Sequence, residues 1–129
     1  MIAKNQDATL RLRVWIEQDN ELYIGIGSTL LLQQIEQRGS LRQAAEALGM
    51  SYRRAWGKLK KTEKRLGFPL VEKTRGMGQK FNLTSRGKEM MDLFLAFYLD
   101  VEKYAAQRAG EILGMNVRSS GEFYRDDME

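Results

Sequence analysis

The chain has no cysteine and no histidine, and its one proline is Pro69. Without cysteine there is neither a disulfide nor a thiolate metal site, which fits a reducing compartment such as the cytoplasm. Without histidine the commonest general base and the commonest metal ligand are both missing. Carboxylates, lysine or serine can still run an enzyme. No Asp/Glu pairing, glycine-rich phosphate loop or nucleophile elbow is present, however, so neither catalysis nor a metal or cofactor is expected. No apolar run approaches the roughly 18 residues of a membrane span, and the opening MIAKNQDATLRLRV holds no signal-peptide core. The expectation is a cytoplasmic protein, neither exported nor embedded.

What is present is ordinary in amount but uneven in placement. At 129 residues, 43% hydrophobic and 29% charged, the chain suits one folded domain. The formal net charge is +4, yet residues 38–80 hold twelve Lys/Arg against three Asp/Glu, a local +9. Such a surface suits a polyanion, because each phosphate neutralised by a cation releases condensed counterions. The plain alternative is a solvated helix face.

From Thr9, TLRLRVWIE alternates Leu10, Leu12, Val14 and Ile16 with more polar residues apart from Trp15, QDNE reads as a turn, and LYIGIG sets Leu22, Ile24 and Ile26 on one face. That is a β-hairpin over residues 9–26. Ser28 is placed to cap a helix through TLLLQQIEQR that Gly39 ends. Ser40 caps a second helix, with Gln43 completing a capping box, Leu41, Ala44, Ala45 and Leu48 facing inward, and Gly49 ending it. Ser51 starts a third through YRRAWGKLKKTEKRL, closed by Gly67 and Pro69. PLVEKT and KFNLT then read as short strands around the loop RGMGQ. Thr84 or Ser85 caps a long helix that is interrupted near Gly110. Residues 114–129 show no apolar period and are expected to form a flexible tail, leaving one domain over residues 1–113.

A short helix, a glycine turn and a second helix make a helix-turn-helix when their faces agree. At about 100° per residue, Ala55, Leu59, Thr62 and Leu66 share the core side of the third helix. Arg53, Gly57, Lys60 and Lys64 share the outward side, with Arg54 and Lys61 beside them. A cationic face led by arginines is what a recognition helix presents to the major groove. Arginine there can bond guanine bidentately, while the lysines meet phosphate. Gly57 in mid-face either allows close approach to the groove or is simply tolerated. Tyr52 and Trp56 fall on the seam between faces. The favoured reading packs them beneath the wing or against the hairpin; direct contact of Trp56 with a base is the alternative.

The strand-loop-strand segment would be the wing of a winged helix-turn-helix, with Lys73, Arg75, Gln79 and Lys80 reaching the minor groove or its flanking phosphates. Ser40, Arg42 and Gln43 sit at a helix start, where free N–H groups favour phosphate. The DNA-contact set is completed by Ser51, Tyr52, Arg53, Arg54, Gly57, Lys58, Lys60 and Lys61. The last helix is apolar around most of its circumference, so it must be covered on more than one side. Met90, Met91, Phe94, Leu95, Phe97, Tyr98 and Val101 are the expected homodimer contacts. A ligand pocket lined by these side chains is the competing account.

The run GSLRQAAEALGMSYRRAWGKLKK, followed by FPLVEKT and FNLTSRGKEMM, resembles the N-terminal winged-helix domain of ModE-type molybdate-responsive transcription regulators. It is more distantly similar to the DNA-binding domain of LysR-type regulators. The resemblance covers roughly residues 10–104. It implies a dimeric, duplex-DNA-binding transcription regulator with residues 51–61 as recognition helix and 73–80 as wing. ModE-type regulators commonly continue into molybdate-binding domains, and their wing is often richer in glycine than RGMGQ. Molybdate sensing is therefore not carried over, and an effector response would come through a separate partner or an unrecognised site. The expected fold is α+β, mainly α: a winged helix-turn-helix with an N-terminal hairpin and a long C-terminal dimerisation helix. The alternative function is a winged-helix interaction module whose basic face meets an acidic protein.

Overall fold

The computed structural model describes residues 7–74 and 80–119. In order these form β1 (Asp7–Leu10), β2 (Trp15–Gln18), β3 (Glu21–Gly25), α1 (Ile26–Arg38), α2 (Leu41–Leu48), α3 (Tyr52–Leu66), β4 (Val71–Lys73), β5 (Phe81–Leu83), α4 (Ser85–Leu113) and β6 (Asn116–Ser119). The architecture is the expected one, a mainly helical α+β winged helix-turn-helix. Strands β2 and β3 pair antiparallel across Asp19 and Asn20, both at positive φ, 55° and 65°. Those angles belong to the two-residue turn whose twist matches a hairpin, and Asp and Asn tolerate them best after glycine.

The hairpin begins later than expected. Residues 11–14 are in no strand, although Leu12 and Val14 still turn inward onto the cluster of Ile24, Ile26, Leu30, Phe94 and Tyr98. An extended chain keeps its two-residue period without a strand partner, so alternation alone overstates pairing. The Leu12 carbonyl is satisfied instead by the Tyr98 hydroxyl, which donates to it at 2.9 Å. Ahead of this segment, β1 pairs in parallel with β6, from Asp7 opposite Asn116 to Leu10 opposite Ser119. The expectation of a flexible tail from residue 114 is thus corrected for residues 116–119. That strand is held by main-chain pairing, with only Val117 half-buried, and so has no apolar pattern to betray it.

Ser28 is not a cap. The first helix starts at Ile26, after Gly25, and Ser28 is buried within it, its Oγ 3.0 Å from Thr62 Oγ1. Thr62 spends its own proton on the Lys58 carbonyl at 2.8 Å, so Ser28 is the donor of the pair. The next caps stand as expected. Ser40 Oγ accepts from Gln43 N–H and Ser51 Oγ from Arg54 N–H, each at 3.1 Å. Thr84 Oγ1 accepts from Gly87 N–H at 3.0 Å. The long helix α4 then runs through Gly110 without interruption. A single glycine costs a helix only about 1 kcal/mol, less than the packing of the surrounding turns returns.

The α2–α3 turn is made by Gly49 at φ 72°. Met50 N–H donates to Ala45 C=O at 3.0 Å and Gly49 N–H to Glu46 C=O at 3.1 Å, the paired bonds of a Schellman ending. Ala44, Ala45 and Ala55 are all 1% exposed or less; their small side chains let the helices cross closely. Leu31, Leu32 and Ile35 of α1 and Leu59 of α3 fill the space below, against Leu70, Val71, Phe81 and Met91. Each fully buried large side chain of this kind contributes roughly 1.5–3 kcal/mol, so the core fixes how α3 is presented.

Candidate nucleic-acid interface

Burial divides α3 by face. Ala55, Leu59 and Thr62 are buried, whereas Arg53, Arg54, Gly57, Lys60, Lys61 and Lys64 are exposed and Lys58 is half-buried. A Cβ on Gly57 would meet nothing within 4 Å, so the outward face is open at its centre. Arg53, Lys61 and Lys64 have no partner among the described residues. Ser51 holds the first turn as its cap.

Other cations are held. The Arg42 guanidinium lies 5.1 Å from the Tyr52 ring centroid, and Lys60 Nζ lies 4.5 Å from that of Trp56. Lys60 also reaches Glu63 at 3.1 Å, and Arg65 faces Glu21 at 3.8 Å. Tyr52 and Trp56 are each 39% exposed, and neither joins the core clusters. Each also carries a cation over its ring.

The wing is joined to the helix-turn-helix at its base. β4 and β5 pair from Val71–Leu83 to Lys73–Phe81, and the pairing continues as Thr74 N–H donates to Lys80 C=O at 3.0 Å. Lys80 in turn bridges to Ser40, and Phe81 N–H donates to Gly39 C=O at 3.0 Å. A cleft of about 190 Å³, lined by Ser40, Leu41, Arg42, Gln43, Tyr52 and Phe81, lies at this junction. The structure therefore gathers Ser40, Arg42, Gln43, Tyr52 and Lys80 on one side of α3. Lys73 is exposed on β4. Arg75 and Gln79 lie outside the described residues.

Reading the sequence missed Glu63. Its carboxylate accepts from Leu70 N–H at 2.7 Å and Val71 N–H at 3.4 Å while pairing with Lys60. It ties α3 to the first wing strand. Its one visible signal is that it is an anion set in the cationic run KLKKTEKR.

The expected homodimer face on α4 needs redrawing. Met91, Phe94 and Tyr98 are buried in the chain's own core, and Met90 and Leu95 are half-buried against it. Val101 is half-buried too; of the seven, only Phe97 is exposed. Leu93, Phe97 and Tyr104 are exposed at 62%, 46% and 62% and follow one another at helical spacing beside Val101. The apolar girth of α4 thus resolves into two stripes, one consumed and one open.

Residues 29–88 match the model of the bacterial regulatory helix-turn-helix protein, lysR family. That segment is similar to a LysR-type helix-turn-helix domain. Three solved structures share the fold of this segment and its surroundings. The CbnR DNA-binding domain in a DNA complex is 20% identical, with 65% of this chain and 94% of that chain covered and a TM-score of 0.53. The BenM DNA-binding domain with benA site 1 DNA is 17% identical, with 68% and 96% covered and a TM-score of 0.57. Full-length LysG from Corynebacterium glutamicum is 24% identical, with 68% and 29% covered and a TM-score of 0.56. The chain thus matches nearly all of the two isolated domains but under a third of full-length LysG. By sequence, no curated protein matches the chain. No described helix is long and apolar enough to cross a membrane.

Proposed function

We propose that this chain is a sequence-specific transcription regulator that binds duplex DNA as a homodimer, with α3 in the major groove and the wing against the neighbouring backbone. The observation that carries this is the outward face of α3: Arg53, Lys61 and Lys64 exposed and uncommitted around the open Gly57, within a LysR-type domain. Arg53 is set to bond guanine O6 and N7, and Lys61 and Lys64 to meet phosphate. Lys73 and Lys80 carry the backbone contacts of the wing, and Arg42 and Gln43 those of the α2 N-terminus. The open stripe of Leu93, Phe97, Val101 and Tyr104 supports pairing of α4 with a second copy, and a two-fold protein would then read an inverted repeat.

The ModE-type likeness of residues 39–61 adds a regulator's role; molybdate sensing is not carried over. The test is a gel shift with random-sequence duplex at two salt concentrations. Binding through about 6–10 phosphates should weaken by roughly 10³–10⁵ between 50 and 200 mM salt. No shift even at low salt would sink the DNA reading and leave the basic face to an acidic protein.

A further inference from the structure

We infer that Trp56 is a specificity-determining residue: its indole packs against the 5-methyl group of thymine in the major groove. The inference rests on the DNA-binding reading proposed above.

A single exposed apolar side chain is ordinary on a protein surface; what singles out Trp56 is that it is exposed and held. Lys60 Nζ sits 4.5 Å from its ring centroid, and Lys60 is fixed by Glu63 at 3.1 Å. Glu63 is itself anchored by Leu70 N–H at 2.7 Å and Val71 N–H at 3.4 Å. A line of contacts therefore runs from the backbone beside the wing, through a carboxylate and an ammonium, to the indole. The ring is nonetheless 39% exposed and so open to a partner. Beside it Gly57 offers no Cβ, and one built there would meet nothing within 4 Å, so the helix surface next to Trp56 is open.

Groove chemistry then selects the target. Guanine O6 and N7 and the phosphates are acceptors, and Arg53, Lys61 and Lys64 match them. The one apolar group that base edges present in the major groove is the thymine methyl, and a flat apolar side chain is its complement. An oriented indole set among cations completes what the cations lack.

Uracil lacks only that methyl, which makes the test direct. A random-sequence duplex pool is enriched by capture on the full chain, then re-amplified with dTTP or with dUTP. Affinities of the parent, Trp56→Ala and Trp56→Phe are measured on both products, as a double-mutant cycle between side chain and methyl. The parent should bind the thymine pool more tightly, by about fourfold for each methyl buried. Trp56→Ala should bind the two pools equally, and Trp56→Phe should keep part of the preference. Urea midpoints close to the parent's would show that both variants fold. Equal binding of the parent to both pools, or an undiminished preference in Trp56→Ala, overturns the inference while DNA binding stands. Failure of the parent to bind either pool overturns the DNA reading, and this inference with it.

Discussion

Replacing Glu63 by alanine isolates the link between recognition helix and wing. Leu70 is 1% exposed, and its N–H, now 2.7 Å from the Glu63 carboxylate, would lose its acceptor. A buried amide left unsatisfied costs about 1–3 kcal/mol, and the bond removed is of the stronger, charge-assisted kind. The Val71 N–H at 3.4 Å adds a longer, weaker bond. The ion pair to Lys60 adds little: that side chain is 49% exposed, and such pairs contribute about 0–1 kcal/mol. The expected loss is therefore about 2–3 kcal/mol, carried mostly by the amide. In a domain of this size it corresponds to a fall in Tm of roughly 6–12 °C. Glu63→Gln keeps a carbonyl at the same reach and should lose about half as much. Urea unfolding should show the midpoint falling while the m-value holds. If Glu63→Ala stays within about 0.5 kcal/mol of the parent, as a neutral surface change would, the carboxylate is not what anchors Leu70 and the reasoning fails.

Three further substitutions test other levels of the structure. Gly87→Ala would drive a Cβ into the Leu70 carbonyl, so it should destabilise by about 2–3 kcal/mol as overpacking does; an unchanged urea midpoint would show that the contact yields freely. Arg53→Ala should weaken binding to an enriched operator more than to random duplex, by about 1–3 kcal/mol of discrimination, and equal losses on both would make Arg53 a phosphate contact. Phe97→Asp should shift sedimentation from dimer to monomer, because Phe97 is 46% exposed in the single chain, whereas an unaltered dimer would place the pairing surface elsewhere.

The helix ends were legible because their chemistry is local. Ser40, Ser51 and Thr84 each bond an N–H three residues on, and that spacing is visible in one dimension. Ser28 looked the same, but its partner is Thr62, 34 residues away, and no local pattern distinguishes a cap from a hydroxyl with a distant partner. Strand β6 was invisible for a related reason: its partner β1 lies at the other end of the chain, and the pairing uses backbone rather than side-chain pattern. The apolar girth of α4 pointed to more than one apolar face, of which the chain's own core covers one and leaves Leu93, Phe97 and Tyr104 exposed. Which side went to the core depended on where Ile24, Ile26 and Leu30 would meet it. For α3, the core face was legible throughout. The pairing of Lys60 with Trp56 and Glu63 was not, because Glu63 is placed by the Leu70 and Val71 amides it accepts from.

The local charge of +9 in residues 38–80 overstates what is free to meet DNA, and the difference can be measured. Arg38 is bonded to Gln34 and Arg65 paired with Glu21; Arg42 and Lys60 each lie over an aromatic ring. Among the described residues, Arg53, Lys61, Lys64, Lys73 and Lys80 carry no such commitment. If each neutralises one phosphate, the slope of log affinity against log salt should be near −4.5 per protomer, at about −0.9 per phosphate, and near −9 for a dimer on two half-sites. Breaking the dimer with Phe97→Asp should therefore halve the slope without touching a DNA contact. Lys80→Ala should instead remove about one unit per protomer while leaving the dimer intact. A slope near −9 that Phe97→Asp leaves unchanged, in a chain shown to be monomeric by sedimentation, would mean that one protomer supplies every contact. The cations now held by Tyr52, Trp56 and Glu21 would then have exchanged partners for phosphate, an exchange that surface pairs permit because they are worth about 1 kcal/mol or less.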